Sequence, residues 1–486
     1  MLKFVPFVGA VAALITLSAC GPKPGTVEGA ADALGAAKTE SITFSGTGKW
    51  NWTGQQISPT ETWPPFELTK FVANISFAAP AARIEMARNA PVDTARNRPA
   101  IVQTADQYLE VAYAWNVNPP PAAGGTPTPV PQPAQVTERL IEVWSSTPQG
   151  FLKAAQANKG EVKPTGTGSE VSFTLGKSRF VGTINDKNEV TRITTMLYSP
   201  VLGDMNYETT FSDYKDFAGL RFPGHIVRTI GGNPALDVTV TEVKANAAQV
   251  AAAPEAVKTF TPPAQKVEAQ NLAPGVWWLT GGTHHNLLVE QKDHLVLVEA
   301  GVDESRSIAV LAKVAELVPA KPIKYVINTH SHFDHSGGLR TFVDVGATIV
   351  THEVNQPFYA KAWGATHALN PDKLSQSKKG PTFQTFTDKL VLDDPAHPVE
   401  VHLIAGNGHS AGFSMVYLPK EKLLVEADAY NSTPTVPTAA PAQPNPYLVN
   451  LVQNVDRLKL DVAQVVPIHG PRTVPPAELR MMAGMP

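Results

Sequence analysis

A chain of 486 residues exceeds what one ordinary hydrophobic core supports, so two or three domains are expected. Its hydrophobic content of 43% is near the globular average and its charged content of 17% is low, while a net charge of −3 excludes a global field suited to nucleic acid or anionic lipid. The 43 prolines are well above the usual share of about 5% and concentrate in linkers and loops.

The N-terminus reads as a targeting segment. Lys3 precedes an apolar run from Phe4 to Leu17, too short to span a bilayer comfortably, which favours a signal peptide over a transmembrane anchor. The run ends Leu17-Ser18-Ala19-Cys20-Gly21, which resembles the bacterial lipobox, whose cysteine becomes the lipidated first residue of the mature protein. Cys20 is the only cysteine, so the mature body has neither an internal disulfide nor a thiolate metal ligand. The resemblance implies residues 1–20 as a lipoprotein signal peptide and a membrane attachment through lipid on Cys20. Gly21 after the cysteine is compatible with the outer membrane, facing the periplasm of the bacterial cell envelope. Residues 21–40 are small and polar and read as a flexible tether.

Residues 41–244 carry mostly strand patterns. Val171, Phe173 and Leu175 alternate with polar residues, as do Tyr207, Thr209 and Phe211, and Leu236, Val238 and Val240. Turn signals at Asn185-Asp186-Lys187-Asn188 and Gly231-Gly232-Asn233 separate them. A Pro-rich insert over 118–135 predicts a solvated loop. Leu140, Ile141 and Trp144, then Phe151, Leu152 and Ala155, have helical spacing, with Thr147-Pro148 as cap and first-turn proline of the second helix. In layout this half resembles the curved-sheet envelope lipoprotein carriers. It contains no catalytic cluster, and reads as a packed scaffold or a surface for lipid or a protein partner.

The Ala/Pro-rich stretch 245–270 predicts an interdomain linker. From residue 271 to 486 strands and helices alternate: two strands flank a Gln291-Lys292-Asp293 turn, Ile308, Leu311 and Ala315 share one helical face, and a buried strand runs into Asn328-Thr329-His330. The fold class expected is therefore α+β in two domains.

The segment from His330 to His335 holds three histidines and an aspartate, a density that no folding requirement explains. Imidazole and carboxylate together suit zinc and other first-row divalent metals. In H-x-H two rings can converge from a tight loop after a strand, and Gly337-Gly338 permits close backbone approach.

Thr329-His330-Ser331-His332-Phe333-Asp334-His335-Ser336-Gly337-Gly338 resembles the signature of the metallo-β-lactamase-fold hydrolases, from about residue 270 onward. The resemblance implies an αββα sandwich holding two divalent metal ions, zinc being the commonest choice and iron or manganese acceptable. It implies His330, His332 and His409 on one metal, Asp334, His335 and His469 on the other, and Asp428 bridging. The implied activity is metal-dependent hydrolysis by a metal-activated hydroxide on a small ester, lactone, thioester, amide or phosphate or sulfate ester, with Asp334 or Asp428 moving the proton. Asp428 is neither Cys nor Ser, which argues against β-lactam hydrolysis as the default. Glu299 stands where many members have an Asp, so its support of the ligands is open. His284 and His285, on the early hairpin with Trp277 and Trp278, and Tyr430, Asn431 and Tyr447, on the loop 430–447 after Asp428, are candidate pocket residues.

Two other readings compete. Gly408-His409-Ser410-Ala411-Gly412 also reads G-x-S-x-G, the elbow of a serine hydrolase using Ser410, but leaves His330, His332, Asp334 and His335 without a role. A non-catalytic envelope lipoprotein that binds lipid or a partner would not need an open dinuclear site.

Overall fold

The computed structural model describes residues 25–119 and 125–485. The expected signal peptide, the expected lipidation residue Cys20 and the start of the expected tether lie outside the described residues; the rest of that segment is no loose tether, because Val27–Ala33 is a helix whose Val27, Ala30 and Ala31 are buried in the core of the N-terminal sheet. No described helix is long and apolar enough to cross a membrane.

The N-terminal region is one antiparallel sheet of 13 strands. Six strands run as a meander from Ser41–Asn51 out to the edge strand Thr128–Pro131, and seven more from the opposite edge, Glu161–Thr165, back to Asn233–Ala245. The two meanders join where Ser41–Asn51 pairs with Asn233–Ala245. Between the edges the chain forms the helices Val136–Ser145 and Pro148–Ala157. Thr147 caps the second, its side chain accepting from the Gly150 amide, with Pro148 in the first turn, where a missing N–H costs nothing. Ile141, Trp144, Phe151 and Leu152 bury onto one sheet face against Phe44, Phe71, Phe173, Phe180, Phe222 and Val238. Part of the Pro-rich insert is not a loop: Thr128–Pro131 pairs with Tyr113–Asn118 as the sheet's edge. An edge strand tolerates proline because one side of it has no ladder to supply.

The C-terminal region stacks a seven-stranded sheet on a five-stranded one. In the larger sheet, hairpins give way to parallel pairing at Leu295–Val298, Ile323–Ile327, Thr348–His352 and Thr382–Phe386. Strand alternation distributes the apolar residues between two cores. Val296, Val298, Ile327 and Val350 face the second sheet, whereas Leu295, Leu297, Val326 and Ile349 face the helices that cover the first. The helix Pro446–Leu458 covers the other sheet through Leu448, Leu451 and Val452. The result is the expected helix–sheet–sheet–helix sandwich, so the α+β class holds for the chain.

The helix Glu304–Leu317 differs from expectation. Its buried face is Ser307, Val310 and Val314, and Ile308 is 38% exposed. The expected face, Ile308-Leu311-Ala315, is displaced by one residue, a rotation of about 100°. Both stripes are apolar enough to serve, and contact with the sheet selects the β-branched pair.

Candidate metal centre

Each proposed ligand sits just past the C-terminal end of a strand. Ile323–Ile327 delivers the segment His330–His335, Val399–Leu403 leads to His409, Leu423–Glu426 to Asp428, and Gln464–Pro467 to His469. Asn328, fully buried, pins the histidine loop: its Nδ2 donates to the carbonyls of His330 (2.7 Å) and His335 (3.3 Å), and its Oδ1 accepts from the Tyr359 hydroxyl (2.7 Å). The short helix Phe333–Ser336 then lifts Asp334 and His335 toward the centre. The following glycines are required by crowding, since a Cβ on Gly337 would lie 2.0 Å from the Val302 carbonyl oxygen and one on Gly338 2.1 Å from Ser307 Oγ.

Two sets of donor atoms result, each with all members within 4.8 Å of one another: His330, His332, His409 and Asp428, and His284, Asp334, His335 and His469. Asp428 lies between them. Its Oδ2 is 2.9 Å from His409 Nε2 and 3.5 Å from His330 Nε2, and its Oδ1 is 2.9 Å from His469 Nε2 and 3.0 Å from His335 Nε2. Within each set, His330 and His409 Nε2 are 3.1 Å apart, as are His335 and His469 Nε2. A tetrahedral zinc ion with bonds of about 2.0–2.1 Å holds its ligand atoms about 3.3 Å apart, so this spacing accepts one with little movement.

The far nitrogens of His330, His469, His332 and His335 are held. His330 Nδ1 is 3.0 Å from Thr329 Oγ1, His469 Nδ1 is 3.1 Å from the Thr283 carbonyl, and His332 Nε2 is 3.0 Å from the Gln56 carbonyl. Glu299 settles the question its identity raised. Fully buried, its Oε2 takes His335 Nδ1 at 3.1 Å and its Oε1 accepts the Thr329 amide at 2.7 Å. The longer acid thus reaches a ligand ring from behind, the usual role of a carboxylate beside a metal-binding imidazole. It does so at φ +73°, with Val302 at φ +70° in the same turn, strain of a kind that collects at functional sites. His332 Nδ1 is left buried without a hydrogen-bond partner. Two donor sets that together hold six imidazoles and two carboxylates, with an orphaned buried nitrogen in one of the rings, fit divalent metal.

The electrostatics agree. Burial, then the neighbouring His335, lowers His330 to about 4, and burial followed by His330 and His409 puts His332 well below its usual range. Both rings are therefore neutral and ready to ligate at neutral pH. Burial opposes ionisation of Asp428, but His335 and His409 outweigh it and hold the carboxylate well below the usual range. His335 is raised, because Asp428 and Glu299 overcome its burial.

Other candidates fall in several places. His284 joins the second set, Nε2 lying 3.2 Å from Asp334 Oδ2 and its ring 4.2 Å from that of His469. His285 is turned under the site: it is buried, bonds the Gly470 carbonyl at 2.8 Å and packs edge-on against Trp278. Tyr430, expected in the pocket, instead donates its hydroxyl to Glu478 at 2.8 Å, and burial, then that carboxylate, raises its pKa. Asn431 is exposed. Of the three candidates after Asp428 it is Tyr447, in the first turn of the helix Pro446–Leu458, that lies edge-on to His409 at 5.3 Å. Ser410 is buried and leads into the strand Ser414–Leu418, not into the helix a nucleophile elbow needs. His469 Nε2 faces His335 and Asp428, not Ser410.

Residues that the sequence did not single out are Gln55 and Gln56, from the N-terminal sheet region. The Gln55 amide donates to Asp334 Oδ1 at 2.9 Å, beside the Gln56 carbonyl on His332. The available signal was the long connection 52–64 between two strands.

The family model of the metallo-β-lactamase superfamily matches residues 279–469, so the C-terminal half carries a domain of that superfamily. Among characterised relatives, the 2,4-dinitroanisole O-demethylase subunit alpha of Nocardioides sp. (strain JS1661) is 26% identical over 165 residues, 33% of this chain and 45% of that one. The match thus spans less than half the length of that relative. Solved structures similar to the chain include a metallo-β-lactamase from Pontibacter korlensis, at 22% identity over 45% of this chain and 98% of that one, with a TM-score of 0.34. A metallo-β-lactamase from Hirschia baltica matches at 19% identity over 45% of this chain and 96% of that one, with a TM-score of 0.32.

Proposed function

We propose that this protein is a dinuclear metal-dependent hydrolase, tethered by lipid on Cys20 to the bacterial envelope and facing the periplasm. The observation that carries the reading is the Asp428 carboxylate, one oxygen toward His330 and His409 and the other toward His335 and His469. A carboxylate so shared suits two ions side by side better than one closed structural site. Residues His330, His332, His409 and Asp428 would hold one ion, and Asp334, His335, His469 and Asp428 the other, with His284 against Asp334. When bound, such a pair polarises a scissile oxygen and lowers the pKa of water toward about 7.

The chain's own residues supply the rest. Asp334 and Asp428 are the carboxylates placed to take and return a proton at the centre, with Asp334 the more open of the two, at 39% side-chain exposure against 15%. His284 Nε2, beside Asp334, can pass that proton outward. Tyr447 and His409 form an aromatic wall on the other side. The substrates we propose are small esters, lactones, thioesters, amides and phosphate or sulfate esters, and the relative's name adds an aryl methyl ether to the compounds worth testing.

The test is elemental mass spectrometry on an untagged chain beginning after Cys20, purified without chelator, followed by a screen of those substrates. Close to two zinc ions per chain with metal-dependent turnover is the expected result. No metal after reloading would overturn the reading and favour a non-catalytic lipoprotein. Release of the full-length protein from membranes by Cys20→Ser tests the anchoring.

A further inference from the structure

Hairpin connections usually close in about 2–5 residues. The one between Ser41–Asn51 and Pro65–Ser76 is much longer and leaves the N-terminal sheet to enter the metal centre. Four consecutive residues bond to the other domain. The Gly54 carbonyl accepts the Phe333 amide (3.1 Å), Gln55 Nε2 donates to Asp334 Oδ1 (2.9 Å), the Gln56 carbonyl meets His332 Nε2 (3.0 Å) and the Ile57 carbonyl accepts the Ala411 amide (2.7 Å). Three of these partners are the successive residues His332, Phe333 and Asp334. The seat is shaped as well as bonded. Gly54, at φ +74°, lies so close to Phe333 that a Cβ would sit 2.4 Å from the ring, and the buried Trp63 meets the same ring edge-on at 6.3 Å. A second N-terminal segment supports the opposite side, where the Arg96 carbonyl oxygen lies 1.9 Å from the place a Cβ on Gly408, next to His409, would occupy.

We infer that the N-terminal sheet domain is a working part of the metal centre: segment 54–57 fixes the ring of His332 and, through Gln55 as a positioning residue, the carboxylate of Asp334. The inference rests on the proposed dinuclear centre and gives the N-terminal domain a role beyond spacing. The Gln56 carbonyl accepts only a protonated Nε2, so it selects the tautomer whose bare Nδ1 is the buried nitrogen without a partner, on a ring that belongs to the first donor set. Gln55 occupies Asp334 Oδ1 and leaves Oδ2 turned toward His284 (3.2 Å) and His335 (3.6 Å), the second donor set. Without the amide, the carboxylate is free to rotate about its terminal torsion, and a ligand otherwise held in place must be ordered on binding.

The experiment uses the full mature chain with Gln55→Leu, which removes the donor at similar size, and Gln55→Glu, which sets a second carboxylate against Asp334. Zinc affinity is measured at each site by chelator competition, the electronic spectrum of the cobalt(II)-loaded protein is recorded, and the thermal midpoint of the metal-free protein reports folding. We expect Gln55→Leu to weaken one of the two sites about 10–100-fold and to alter the cobalt spectrum. The Glu variant should weaken it further, while the metal-free midpoint stays close to that of the parent. A loop that only docks two domains would move the midpoint and leave affinities alike in the two variants. Two wild-type affinities in both variants would overturn the inference and leave the hydrolase reading intact. A parent chain that takes up no metal would overturn both.

Discussion

Glu299→Gln isolates the support behind one ligand. The carboxylate accepts two hydrogen bonds in a fully buried position, from the Thr329 amide at 2.7 Å and from His335 Nδ1 at 3.1 Å. Both partners are donors, and glutamine has one acceptor oxygen. Whichever way the amide turns, its NH2 opposes a donor, so either the Thr329 amide loses its partner or His335 must adopt the other tautomer. The second choice puts the ring's proton on Nε2, the atom facing Asp428 and His469. An unsatisfied buried donor costs about 1–3 kcal/mol. Charged in a place where His335 outweighs the burial that would raise its pKa, Glu299 also contributes attraction that the amide lacks. Backbone strain at φ +73° is common to both residues and cancels. The expected outcome is a loss of about 2 kcal/mol, or roughly 10–100-fold, in zinc affinity at the site containing His335. The site of His330, His332 and His409 should change much less. Stepwise chelator competition followed by elemental analysis measures this. Affinities within twofold of the parent at both sites, in a protein that still folds, would refute the reasoning.

Asp428→Asn removes the charge common to both donor sets, so metal content should fall to about one ion per chain or fewer and turnover with it; retention of two ions would remove Asp428 from the bridging position. Ser410→Ala should leave kcat/KM within about threefold, whereas a serine nucleophile's loss costs a factor of about 10³ or more. The buried Arg340–Asp372 pair gives a pH signature that involves none of the donor residues. Burial raises the Asp372 pKa, but Arg340 and the Ser375 amide outweigh it and bring it to about 2. A carboxyl depressed in the folded state stabilises above its unfolded value near 3.9, and that contribution is lost as pH falls through the folded value. Urea unfolding of the parent should therefore lose roughly 1 kcal/mol between pH 7 and pH 3 that Asp372→Asn does not lose. Equal slopes in the two proteins would discount the pair.

Much of the centre is legible because its information is local. The spacing of His330, His332, Asp334 and His335 puts four donors on one loop whatever surrounds it, and the family resemblance implies His409, Asp428 and His469, each after a short apolar run. Thr147-Pro148 announces a helix start for the same reason, since a cap involves neighbours in the chain. Three features were not legible. The helix Glu304–Leu317 has two apolar stripes one residue apart, and only the sheet beneath selects Val310 and Val314. Tyr430 and Tyr447 are equivalent aromatic residues at the ends of one loop, and the buried Glu478 draws the first away. The Pro-rich insert supplies an edge strand because its partner, Tyr113–Asn118, offers a free ladder.

By itself the sequence determined the donor chemistry and the class of fold that presents it: imidazoles and carboxylates at strand ends, with Cys20 the single cysteine of the chain. Only the tertiary structure decided what lies behind and above those donors. Gln55 and Asp334 are 279 positions apart, so no local spacing encodes their contact. It exists because two separately packed cores bring a strand connection of one domain against the histidine loop of the other. There, a lone amide and a backbone carbonyl acquire roles that their identities do not announce.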